Sequence, residues 1–137
     1  MDYRQLNAVT KKDTYPLSYI SSILDQLRNA IFISSIDIKS AFWQVGLTPE
    51  SREFSAFTIP GSGLYHFKRM PFGLTDAPAT WQRIIDNVLG ADLQPNVFVY
   101  LDDIILVSGD FESHLKLLEC VLDHLHPAGL VIAEDKC

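Results

Sequence analysis

Two adjacent aspartates, Asp102 and Asp103, stand between the apolar runs Val97-Phe98-Val99-Tyr100 and Ile104-Ile105-Leu106-Val107. Turns favour aspartate, and taken alone the pair reads as a solvated acidic turn. The flanking runs argue for more, because both are apolar throughout, unlike the alternating strands of an exposed hairpin. Two carboxylates ~4 Å apart repel by ~4 kcal/mol at an effective dielectric of ~20. A divalent cation neutralises such a cluster. A third carboxylate, Asp37, ends the β-type run Ile31-Phe32-Ile33-Ser34-Ser35-Ile36. By itself Asp37 reads as a solvated strand end. Beside the hairpin it would complete a set of hard oxygen donors for Mg²⁺, with water and substrate phosphates as the remaining ligands. Two ions ~3.5–4 Å apart can activate a hydroxyl and stabilise the leaving group of an in-line phosphoryl displacement. That chemistry requires no side-chain nucleophile, and no Ser-His-Asp or Cys-His arrangement stands out.

The surrounding elements decide whether Asp37 can reach the hairpin. Residues 2–14 are polar and read as a loop or strand remnant. Pro16 opens a helical pattern with Leu17, Ile20, Leu24 and Leu27 on one face. The strand ending at Asp37 follows. Strands over 53–59 and 64–70 flank the turn Pro60-Gly61-Ser62-Gly63. Asp76 and Pro78 start a helix whose apolar face is Trp81, Ile84, Ile85, Val88 and Leu89. After the acidic hairpin, Leu115, Leu118, Val121, Leu122 and Leu125 mark another helix, which Pro127 and Gly129 stop. Leu130 to Ala133 reads as a short final strand. This order predicts an α+β domain, a split βαββαβ (ferredoxin-like) antiparallel sheet with helices on one face. In that topology the first strand and the hairpin are neighbours, and Asp37 comes beside Asp102.

Length and composition agree with one domain over residues 1–137. The chain is 47% hydrophobic and 20% charged, so a packed core is expected and disorder is not. Cys120 and Cys137 have neither metal-type nor disulfide-framework spacing, and the four histidines form no zinc-finger pattern. No apolar run approaches membrane-spanning length and no signal-peptide pattern opens the chain, so an intracellular protein is expected. The net charge of -6 is unusual for a partner of phosphate backbones.

Six ordered motifs span the chain: DYRQLN, IDIKSAFWQ around Asp37, SAFTIP, FKRMPFGLTDAPATWQ, VFVYLDDIILVS and GLVIAEDKC. In these the chain resembles the reverse transcriptases of retroviruses and, more closely, of gypsy-type LTR retrotransposons. The resemblance implies a polymerase palm with a partial fingers hairpin, and RNA-directed DNA synthesis from deoxynucleoside triphosphates on a primed RNA or DNA template. It implies that Asp37, Asp102 and Asp103 are the catalytic carboxylates and hold two Mg²⁺ ions, with Mn²⁺ as a substitute and the Ile38 carbonyl as a further ligand. Ser40 and Ala41 would offer backbone N–H groups to the triphosphate. Phe42 would be the aromatic gate under the sugar, excluding a 2′-hydroxyl by its bulk. Phe72 and Gly73 would lie beneath nucleotide and template; many retroviral enzymes have Gln at the Phe72 position, whereas gypsy-type elements resemble this chain. Lys136 would stand on the pyrophosphate side, and Lys68 and Arg69 are candidate phosphate contacts.

The resemblance further implies that a basic fingers segment, the thumb and the RNase H and integrase parts of a Pol polyprotein lie outside these residues. The acidic balance is then expected, since most of the duplex-gripping surface is elsewhere. Cytoplasmic virus-like particles are the expected place of the parent element. The competing expectation is a truncated, inactive remnant with at most weak nucleic-acid binding. A generic RNA-binding module is disfavoured, because no aromatic pair set among basic residues is evident.

Overall fold

The structure, a computed structural model, describes residues 1–16 and 20–137. Helix α1 (Arg4–Val9) follows Asp2, whose carboxylate accepts the Arg4 backbone N–H at 3.0 Å. This bond, together with burial of the Tyr3 ring, makes a helix where the polar sequence suggested a loop or strand remnant. Helix α2 (Ile20–Leu27) presents Ile23 to the interior and leaves Leu24 exposed, so the predicted apolar face is rotated. Leu17 and the side chain of Ile20, also assigned to that face, lie outside the described residues.

Strand β1 (Phe32–Asp37) ends where its sequence pattern does. Two single-turn helices follow, α3 (Ala41–Gln44) and α4 (Pro49–Arg52). The hairpin around Pro60-Gly61-Ser62-Gly63 is shorter than predicted, with β2 (Phe57–Ile59) and β3 (Gly63–Tyr65). Residues 53–55 form a 3-10 turn instead of strand. The Ser55 hydroxyl donates to the Arg52 carbonyl at 2.6 Å and accepts the Phe67 N–H at 2.9 Å, which turns both chains out of a longer ladder.

Helix α5 (Ala77–Leu89), strands β4 (Val97–Tyr100) and β5 (Asp103–Ser108), and helix α6 (Phe111–Leu125) complete the domain. The sheet order is β1-β5-β4, antiparallel throughout. On the other side of β1, Ile38 forms an antiparallel bridge with Ile132. The Ala133 N–H donates to the Asp37 carbonyl at 2.8 Å, and the Lys39 N–H to the Val131 carbonyl at 2.9 Å. The predicted last strand is therefore a bridge, yet it occupies the place the split βαββαβ order requires.

Helices α5 and α6 cover one face of the sheet. Trp81 and Ile85 from α5, Val121 and Leu125 from α6, and Ile104 and Leu106 from β5 are buried together. The apolar face of α6 differs from its sequence reading: Leu115 and Leu122 are exposed and His114 is buried. The His114 ring nitrogens lie 2.8 Å from the hydroxyls of Ser34 and Ser108, so hydrogen bonding puts a polar ring where apolar spacing suggested leucine. Asp110 caps the helix by accepting the Ser113 N–H at 2.8 Å.

Candidate active site

β4 and β5 are joined by two residues, Leu101 and Asp102, with Tyr100 opposite Asp103. Such loops favour left-handed backbone at their first residue, and Leu101 adopts φ +54° there. In the same sheet Asp37 is the cross-strand partner of Asp103. The Ile38 N–H donates to the Asp102 carbonyl at 2.9 Å, tying the end of β1 to the turn. The three carboxylates predicted from sequence thus share one end of the sheet.

Their electrostatics reflect that proximity. Burial raises the Asp102 carboxyl above the ordinary aspartate value, and the charges of Asp37 and Asp103 raise it further, while Lys136 opposes them. Asp102 Oδ1 is buried and finds no hydrogen-bond donor among the described residues. Lys136 Nζ stands 3.6 Å from Asp37 Oδ2, so the late lysine does reach this cluster. Among the described residues no group of three Asp, Glu, His or Cys side chains is placed to hold a metal ion. Asp37 and Asp103 are cross-strand neighbours, and the Lys136 ammonium stands against Asp37. The buried, donorless oxygen among anions fits a hard cation, and Mg²⁺ generally takes one or two carboxylates and completes its shell with water and phosphate.

The other predicted residues lie around this end. The Ile38 side chain is buried in the core. Ser40 has φ +48° and caps α3, and Ala41 opens that helix. Among the described residues no acceptor takes the N–H groups of Ser40, Ala41 or Phe42. The Phe42 ring is 5.1 Å from the exposed Phe72 ring, and Trp43 joins Phe72 at 6.1 Å. Gly73 has φ +95°, a backbone that favours glycine, and a Cβ there would touch the Tyr3 ring at 3.5 Å. Lys68 is exposed, but Arg69 donates to the Gln44 carbonyl at 2.6 Å, so that guanidinium also has a structural use.

Three side chains that sequence reasoning passed over organise the surroundings. Asn7 donates to the Gly73 carbonyl at 2.8 Å and accepts the Thr75 N–H at 2.9 Å, holding the Phe72-Gly73 turn against α1. The Gln44 amide bonds Lys39 and Val131, which fixes the bridge beside Asp37. Trp81, read only as part of an apolar face, donates its indole N–H to the Leu101 carbonyl at 2.7 Å. Asn7 and Gln44 are polar positions within DYRQLN and IDIKSAFWQ, which was the available signal.

A family model described as reverse transcriptase (RNA-dependent DNA polymerase) matches residues 1–137. The Retrovirus-related Pol polyprotein from transposon 297 of Drosophila melanogaster is 40% identical over 100% of this chain and 13% of its own length. The Pol polyprotein from transposon gypsy of the same organism is 36% identical over 99% of this chain and 13% of its own. The foamy viral protease-reverse transcriptase in complex with RNA/DNA hybrid superposes with a TM-score of 0.85 at 29% identity, covering 96% of this chain and 18% of that one. The foamy viral protease-reverse transcriptase dRH in complex with double-stranded DNA gives a TM-score of 0.86 at 29% identity, over 96% of this chain and 23% of that one. The chain therefore spans a small part of the relatives it matches. It belongs to the reverse transcriptase (RNA-dependent DNA polymerase) family.

Proposed function

We propose that residues 1–137 form the palm and a partial fingers hairpin (β2–β3) of an RNA-directed DNA polymerase of a retrotransposon, and that Asp37, Asp102 and Asp103 are its catalytic carboxylates. The observation that carries the reading is the register that puts Asp37 opposite Asp103, with the raised Asp102 carboxyl beside both. Asp37, Asp102, Asp103 and the Ile38 carbonyl would hold divalent cations, two Mg²⁺ or Mn²⁺ ions. When bound, these supply Lewis-acid activation of a primer 3′-hydroxyl and stabilise charge on the leaving pyrophosphate.

The chain's own residues do the rest. The unengaged N–H groups of Ser40 and Ala41 are free to donate to the triphosphate of the incoming nucleotide. Phe42, braced by Phe72, presents a ring to the sugar and leaves no room for a 2′-hydroxyl. Phe72 and Gly73, held by Asn7, form a floor beneath nucleotide and template. Lys136, already within reach of Asp37, brings positive charge to the pyrophosphate side. The complexes of the similar foamy viral protein with RNA/DNA hybrid and with DNA support a primed RNA or DNA template as the partner. The rest of a Pol polyprotein would supply the grip on the duplex, and in the parent element the reaction would proceed in cytoplasmic particles.

Primer extension on poly(rA)–oligo(dT) with Mg²⁺ tests the reading. A polypeptide extended at both ends to the polymerase length of its relatives should add deoxynucleotides. Failure of that longer protein to do so would favour the inactive-remnant reading, for which the net charge of -6 is the best support.

A further inference from the structure

We propose that Trp81 is a positioning residue for Asp102: its indole N–H, bonded to the Leu101 carbonyl, clamps the turn that carries the carboxylate. The consequence for catalysis rests on the polymerase reading; the clamp itself does not. Asp102 lies between two peptide planes, and each is held by one fixed donor. The Leu101 carbonyl accepts the Trp81 Nε1–H at 2.7 Å, and the Asp102 carbonyl accepts the Ile38 N–H at 2.9 Å. Because peptide units are planar, fixing both carbonyls leaves the Asp102 backbone little freedom between them.

The turn needs such a clamp. Leu101 is a non-glycine residue at φ +54°, a conformation that persists only where the surroundings enforce it. Leu101 is itself 39% exposed, so it is not locked into the core. Trp81, in contrast, is 1% exposed and sits within the thirteen-residue helix α5, packed in the core with Ile85 and Ile104. The indole cannot swing away without disturbing that packing. Its nitrogen is a donor only, so a buried Trp81 without the Leu101 carbonyl would leave an N–H unsatisfied. Helix and turn therefore fix one another, and the helix that supports the sheet also sets the aim of Asp102.

Hydrogen exchange followed by NMR on the chain itself tests the clamp with two variants. Trp81→Phe removes the N–H and some volume. Replacing Trp81 with benzothienylalanine, in which sulfur takes the place of the N–H, removes the donor and keeps the shape. Both should speed exchange of the Ile38 amide by about three- to tenfold, the effect of one lost hydrogen bond, while the Val107 amide at the far end of β5 stays within about twofold. In the extended polymerase, both should lower kcat by about the same factor and leave KM for the deoxynucleotide unchanged. The clamp is overturned if the benzothienylalanine protein exchanges like the parent, or if Ile38 and Val107 loosen equally. Should the extended protein prove inactive, the polymerase reading fails while the exchange comparison still decides the clamp.

Discussion

At the scale of residues, the cluster carries a measurable cost in the absence of cations. Burial and the negative Asp37 and Asp103 raise the Asp102 carboxyl in the folded chain, whereas the unfolded chain titrates at the ordinary aspartate value. As pH rises, the unfolded state releases that proton first. Stability from protonated Asp102 is thus present below the unfolded value and is lost as pH climbs through the raised folded one. Asp102→Asn should therefore raise Tm at neutral pH in EDTA, and the gain over the parent should vanish in acid. Thermal melts of both proteins across that range check it; parallel curves would contradict the assignment. The Phe42 ring makes a separate prediction. In an active extended protein, Phe42→Val should raise ribonucleotide incorporation relative to deoxynucleotide by roughly tenfold or more, as expected when steric exclusion is relieved. Single-nucleotide addition with paired substrates measures the ratio.

At the scale of elements, α5 links the core to the site. Ile85 is wholly buried on it, so Ile85→Ala should cost about 2–5 kcal/mol, seen as a lower denaturant midpoint with an unchanged slope. The elements that bring the three carboxylates together were legible in the sequence. The hairpin around Asp102 and Asp103, the strand ending at Asp37 and helix α5 follow from apolar runs and from Pro78 at a helix start. Sequence reading failed where side-chain hydrogen bonds override apolar spacing. Ser55 bends residues 53–55 into a 3-10 turn, Asp2 starts α1, and His114 takes an interior position between two serines. The backbone hydrogen bonds of Asn7 and Trp81 were hidden for a related reason. Their partners are backbone groups distant in sequence, at Gly73, Thr75 and Leu101, and no local pattern predicts such a pairing.

At the scale of the whole molecule, an acidic chain belongs to a family of nucleic-acid polymerases. Its net charge of -6 argues against strong duplex binding by these residues alone, because affinity for a phosphate backbone grows with the cations that contact it. The relatives are far longer, with this chain matching 13% of the transposon 297 polyprotein, so most of their length lies beyond the aligned part. Among the described residues no helix is long and apolar enough to cross a membrane. The α+β fold and the three carboxylates at one end of its sheet are what these residues contribute. The central claim is that Asp102 is catalytic, and single-turnover addition of one deoxynucleotide to a recessed primer tests it most directly. In a polypeptide extended at both ends, with saturating Mg²⁺, Asp102→Asn should slow addition by about 10²–10³-fold, the loss typical of removing one charge-stabilising group. Addition by the variant at the rate of its parent would contradict the account.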